Sequence, residues 1–138
     1  MASGRRANTA RIAFSPYTRS SSRASAAGAA ARVAEGGAEA VPLVRLGRAD
    51  NSIAQLHGAG FSLAATLVEG GDDLFEAELP PRLVYVMGAE GGGMDRTFAQ
   101  NLDLRLSIPG SGAVESLNVA SATAVLLAEW RRRARSAL

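Results

Sequence analysis

Cysteine and lysine are both missing from this chain, and histidine occurs once, at His57. Without thiols there is no disulfide, no thiolate zinc site and no cysteine nucleophile. Without lysine there is neither the lysine that phosphate-loop NTPases place after their glycines nor any Schiff-base chemistry. A single imidazole leaves no ligand set of transition-metal type, so no metal is expected. His57 sits in the helical stretch Ile53-Ala-Gln-Leu-His57, where a structural imidazole is the favoured reading over the base of a Ser-His-Asp arrangement. No apolar run approaches the roughly 20 residues that span a bilayer, and the first thirty residues hold no apolar secretory signal, so a cytoplasmic location off the membrane is expected.

At 138 residues, of which 47% are hydrophobic, the chain has the material for one core and one domain. Every one of its 15 basic residues is arginine, against 13 acids, for a net charge of +2. The arginines are unevenly spread: Arg5, Arg6, Arg11, Arg19, Arg23 and Arg32 precede the first acid, Glu35, and Arg131, Arg132, Arg133 and Arg135 crowd the C-terminus. A guanidinium is a planar fork for phosphate and a face for stacking on bases, so the composition permits RNA binding. At the C-terminus, phosphate contact and a solvated helix end are equally good readings of the arginines. Residues 1–26, rich in Arg, Ser, Ala and Gly, carry too little apolar surface to offset the entropy of ordering and are expected to be disordered. Residues 27–138 form the expected domain.

Within that domain, Ala26–Ala34 suits a short helix and Val41–Arg45 a short strand. Asp50 or Ser52 is a candidate cap for a helix bearing Ile53 and Leu56. Phe61–Leu67 reads as a strand, Gly70-Gly-Asp-Asp73 as a turn, and Leu74, Phe75 and Leu79 as small core contacts. Arg82–Met87 is an apolar run suited to a strand buried on both faces, hence a central parallel strand. Asp95–Gln100 fits a short helix, and Leu102–Ile108 alternates as a strand does. From Asn118 to about Arg135 runs a helix with Val119, Ala122, Leu126 and Trp130 on one stripe, widened by Val125. Alternating helices and strands around a buried strand indicate an α/β sheet with flanking helices.

Two of these strands end in glycine-rich turns, Gly88-Ala-Glu-Gly-Gly-Gly-Met94 and Ile108-Pro-Gly-Ser-Gly-Ala-Val-Glu-Ser-Leu-Asn-Val119, and the second opens directly into the last helix. Open α/β sheets bind ligands beyond the carboxyl ends of their strands, where main-chain groups and helix N-termini point outward. Glycine there lets the backbone approach a flat base or a ribose. Gly91-Gly-Gly93 alone is weak and does not fit the dinucleotide fingerprint. Glu90 is either a solvated loop acid or a partner for an arginine or a ribose hydroxyl, while Ser116 and Asn118 are first of all helix-capping residue types.

The two turns resemble the second and third motifs of the SpoU (TrmH-type) family of RNA ribose 2′-O-methyltransferases, in the SPOUT superfamily, and weaker similarity runs back through Ala31-Arg-Val-Ala-Glu-Gly-Gly-Ala-Glu39. The resemblance implies S-adenosyl-L-methionine as cofactor, held at its adenine end by main-chain groups of Gly88, Ile108 and Leu117. It implies Glu90, Ser116 and Asn118 as active-site side chains, and tRNA or rRNA as substrate. It also implies a homodimer and an α/β knot, with the C-terminal helix threaded through a loop to make a trefoil. The family's first motif, of the form Asn-x-Gly-Ala with an arginine six residues after the asparagine, has no counterpart: Asn8-Thr-Ala-Arg11 lacks the glycine and position 14 is Phe14. The expectation is therefore an N-terminally truncated domain with an incomplete parallel sheet. Its rival is a catalytically impaired relic that dimerises and binds cofactor or RNA without turnover.

Overall fold

A computed structural model describes the backbone of residues 9–14, 48–88, 94–111 and 117–136. It contains β1 (Thr9–Phe14), α1 (Ala49–Gly58), β2 (Ser62–Leu67), β3 (Asp72–Asp73), β4 (Arg82–Met87), α2 (Arg96–Gln100), β5 (Leu104–Ser107) and α3 (Val119–Ser136). The five strands form one sheet in the order β1-β4-β2-β5-β3, and all four pairings are parallel. Parallel strands demand cover on both faces, and the core is accordingly split in two. On one face Phe61, Leu63, Ala65, Val84, Val86, Ala99 and Leu102 pack with Ile53 and Leu56 of α1 and Phe98 of α2. On the other, Ala64, Leu74, Leu83, Tyr85, Met87 and Leu106 pack against Leu126 of α3.

Strand β4 is buried at five consecutive positions, as its apolar run predicts for a central strand. The stripe on α3 is also as expected: Val119, Ala122, Val125, Leu126 and Trp130 all meet the second core cluster. Two polar contacts fix the depth of this helix. The Tyr85 hydroxyl donates to the Leu126 carbonyl at 3.3 Å, and Trp130 Nε1 donates to the Pro80 carbonyl at 3.3 Å. Burial pushes the Tyr85 phenol pKa up, so Tyr85 stays a neutral donor.

Several expectations need correction. Thr9–Phe14 is a strand within the stretch expected to be disordered; it pairs with β4 along its whole length, from Thr9 beside Arg82 to Phe14 beside Met87. A weakly apolar hexapeptide orders there because a buried neighbour supplies a full ladder of hydrogen bonds, which local composition does not reveal. The rest of residues 1–26, the helix expected at Ala26–Ala34 and the strand at Val41–Arg45 lie outside the described residues. Neither Asp50 nor Ser52 caps α1: the N-cap is Arg48, which makes no side-chain capping bond, and the buried Ser52 hydroxyl instead donates to the Arg48 carbonyl at 3.0 Å. Phe75 is 47% exposed and is no core contact.

The turn expected at Gly70–Asp73 contains more than a turn, since Asp72 and Asp73 pair with Leu106 and Ser107 as β3. Gly70 takes a positive φ of 81°, and Gly71 lies directly on β5, where a Cβ would fall 2.6 Å from the Leu106 carbonyl carbon and 2.8 Å from the Ser107 nitrogen. Both of those are main-chain atoms that move only with the strand. Gly71→Ala is expected to destabilise the protein by about 2 kcal/mol through displacement of β3 from β5. Urea denaturation measures this, and an unchanged midpoint would show that β5 yields freely.

Candidate active site at the carboxyl edge of the sheet

Because every strand runs in the same direction, Gly88 after β4 and Ile108 after β5 emerge at one edge of the sheet. Strand β2 lies between them, so the two exits are two strand spacings apart, about 10 Å. They are tied together by packing: Met87, Ile108 and Val119 all belong to the core cluster on the α3 side. The end of β4, the turn after β5 and the first residue of α3 thus share one apolar floor. Gly88 and Ile108 are half-buried above it, while Leu117, 51% exposed, and Asn118 face solvent.

Asn118 is the N-cap of α3. Its side-chain oxygen accepts from the Ala120 amide at 2.8 Å, and its carbonyl accepts from the Ala122 amide at 2.9 Å. The plain capping role anticipated for Asn118 is therefore present, and it sets the direction in which the remaining N-terminal amides of α3 point. Asn118→Ala is expected to cost about 1 kcal/mol, with Asn118→Ser restoring most of it. Thermal melts of the two variants test this, and equal losses would contradict capping. Glu90 and Ser116 lie outside the described residues.

Thr66, near the end of β2, is a residue that sequence inspection passed over. It stands between the two strands that carry the glycine turns, and its hydroxyl donates to the Val86 carbonyl at 2.9 Å and approaches Met87 Sδ at 3.3 Å. It thereby ties β2 to the last residues of β4 just before Gly88. Nothing in the strand pattern distinguishes it, since threonine is common in strands and the strand order that places it centrally is a tertiary fact.

The single histidine is far from this edge. His57 Nε2 and Asp103 Oδ2 lie 2.8 Å apart, and the same carboxylate oxygen accepts from the Leu63 amide at 2.7 Å, at the opposite, N-terminal end of β2. Burial pushes the Asp103 pKa up, but the Leu63 amide and the His57 ring together outweigh it and hold the carboxyl below its ordinary range. The pair staples α1 to the start of β5, as befits a structural imidazole. Among the described residues there is no group of three metal-ligating side chains, and no helix is long and apolar enough to cross a membrane.

The SpoU rRNA Methylase family matches residues 5–128. The chain belongs to that family. Similar proteins include an uncharacterized tRNA/rRNA methyltransferase, YfiF, of Escherichia coli O157:H7, 41% identical over 106 residues that make up 77% of this chain and 31% of that protein. The 23S rRNA (guanosine-2′-O-)-methyltransferase RlmB of Salmonella typhi is 38% identical over 104 residues, covering 75% of this chain and 43% of the relative. The chain thus spans less than half the length of these curated relatives. Among solved structures, an rRNA methyltransferase from Sinorhizobium meliloti with AdoMet bound superposes with a TM-score of 0.65 at 30% identity, over 74% of this chain and 39% of that one. The A. aeolicus TrmH/SpoU tRNA modifying enzyme shares the fold with a TM-score of 0.71 at 20% identity, over 92% of this chain and 62% of that one. The parallel α/β architecture with flanking helices is therefore that of SpoU methyltransferases. The knot implied by the resemblance involves the two glycine turns, and residues 89–93 and 112–116 of those turns lie outside the described residues.

Proposed function

We propose that this chain binds S-adenosyl-L-methionine at the carboxyl edge of its sheet and serves methyl transfer to a ribose 2′-hydroxyl of tRNA or rRNA. The observation that carries this reading is the convergence of the β4 exit, the β5 exit and the N-terminus of α3 on one apolar floor. The donor set fits the cofactor. Main-chain groups beyond the last ladder positions of β4 and β5 are disposed to read the edge of an adenine, and half-buried Gly88 presents no side chain to obstruct it.

In this reading Gly88, Ile108 and Leu117 hold the adenine end through their backbones. Asn118 orients the start of α3, and Ser116 and Glu90 supply a hydroxyl and a carboxylate near the ribose. When bound, the cofactor supplies an electrophilic methyl group. The chain's own task is to position the ribose oxygen and exclude water. We further infer that the family's knot and homodimer, and a cytoplasmic setting, apply to this protein.

One observation favours a second reading, binding without turnover. The family's first-motif arginine has no counterpart, position 14 being Phe14 at the end of edge strand β1. Loss of a positioned acid-base group commonly costs about 10²- to 10⁴-fold in rate. Calorimetric titration with S-adenosyl-L-methionine, paired with methyl transfer to bulk RNA, separates the two. Binding with transfer supports the enzyme, binding without transfer supports the relic, and no binding defeats both. Glu90→Ala is expected to abolish any transfer while leaving the melting temperature nearly unchanged.

A further inference from the structure

The four arginines at the end of α3 do not form one uniform patch. Arg133 turns inward: Nε donates to Glu129 Oε1 at 2.6 Å, and the rest of the guanidinium donates to the carbonyls of Leu74, Phe75 and Ala77. Arg132 makes a two-pronged contact with the same carboxylate, both bonds at 2.8 Å, yet its side chain remains 64% exposed. Arg131 and Arg135 are exposed and have no acidic partner among the described residues. Four residues apart, they share the helix face turned away from Leu126. With Arg132, Ala128 and Ser136 they make up one open, solvent-facing strip of α3.

One carboxylate among four guanidiniums leaves a formal surplus of +3 in this last stretch of helix. The helix dipole opposes it with only about −0.5 charge, so this face attracts anions. Its distance from the glycine turns limits what it can touch. Arg131 is twelve residues beyond Val119, about 18 Å along the helix, too far to reach a nucleotide reacting at the turns.

We propose that Arg131 and Arg135, flanked by Arg132, form a phosphate-contact surface for RNA backbone outside the reacting nucleotide, with Arg133 reserved for the fold. This rests on the reading that the chain takes RNA as substrate. Such contacts set the position and orientation of a strand without reading its sequence.

The test is binding of a labelled single-stranded RNA across a salt series, comparing the full chain with R131A/R135A and R131K/R135K. Loss of two phosphate contacts lowers the steepness of log K against log salt by about 1.4. The alanine pair is expected to show this, together with a several-fold weaker affinity at low salt. The lysine pair keeps most of the binding, and affinity for S-adenosyl-L-methionine is the same in all three.

An unchanged slope in R131A/R135A, with RNA bound as tightly as before, overturns the proposal while leaving the RNA reading intact. Failure of the unaltered chain to bind RNA while it still binds S-adenosyl-L-methionine overturns both. If R131A/R135A loses self-association in sedimentation but keeps its RNA affinity, the face belongs to a second copy and the proposal falls.

Discussion

Replacing Leu126 by alanine is expected to destabilise the protein by about 3 kcal/mol and to lower its melting temperature by about 10 °C. Leu126 is 1% exposed and is the point where α3 enters the core cluster formed by Ala64, Leu74, Leu83, Tyr85, Met87 and Leu106. Truncation removes its apolar contact and leaves a cavity between a helix and a sheet that are each held by other contacts, so collapse around the void is incomplete. The consequence extends to function. Val119, at the start of α3, shares its cluster with Met87 and Ile108, so loosening the helix loosens the floor beneath both turns. Affinity for S-adenosyl-L-methionine should therefore fall along with stability. Leu126→Met, which conserves volume, should restore both. A melt that falls by the expected amount with cofactor affinity unchanged would show that the turns are held independently of the helix.

How much of this was legible beforehand depends on what each residue answers to. Strand β4 could be read because a strand buried on both faces has an unbroken apolar run, and α3 because a helix on one face of a sheet repeats its apolar residues every three or four positions. Asn118 could be read because capping is local chemistry, complete within two residues. Strand β1 could not, since Thr9–Phe14 owes its order to β4, some seventy residues away in sequence. The same holds for β3: a glycine followed by two aspartates signals a turn, and only the contact of Gly71 with the β5 backbone makes the aspartates a strand. At the candidate site, the sequence motifs identified the turns, but strand order alone placed Thr66 between them. Glu129 was equally hidden. On a helix diagram it is one acid among arginines, and its burial, with Arg133 reaching from it to the Leu74 carbonyl, appears only in the folded structure.

That last residue carries the other large effect. The Glu129 side chain is only 6% exposed, and its carboxylate takes three charged hydrogen bonds, two from Arg132 and one from Arg133. The bonds from Arg132, reinforced by Arg133, outweigh the cost of burial and hold its pKa down from 4.5 to about 2. A folded-state pKa below the ordinary value means that the unfolded chain takes up the proton first. The stabilisation is therefore complete above about pH 4.5 and is lost as pH falls through about 2.

Glu129→Ala removes the anion but leaves Arg133, its side chain 25% exposed, among the carbonyls of Leu74, Phe75 and Ala77. Breaking a pair in this way leaves an uncompensated charge, and a cost of about 3 kcal/mol at neutral pH is expected, at the lower end of the range because those carbonyls still accept. Glu129→Gln keeps the shape and some hydrogen bonding, so its neutral-pH loss should be smaller. What both variants must share is a flatter pH dependence: urea midpoints measured from neutral pH down into the acid range should fall less steeply than in the unaltered chain. Asp103, whose pKa is also lowered, still titrates in the variants, so the difference between the curves isolates Glu129. Parallel curves would mean that the carboxylate gains nothing from its two arginines, and that Arg133 alone fastens the segment from Leu74 to Ala77 onto α3.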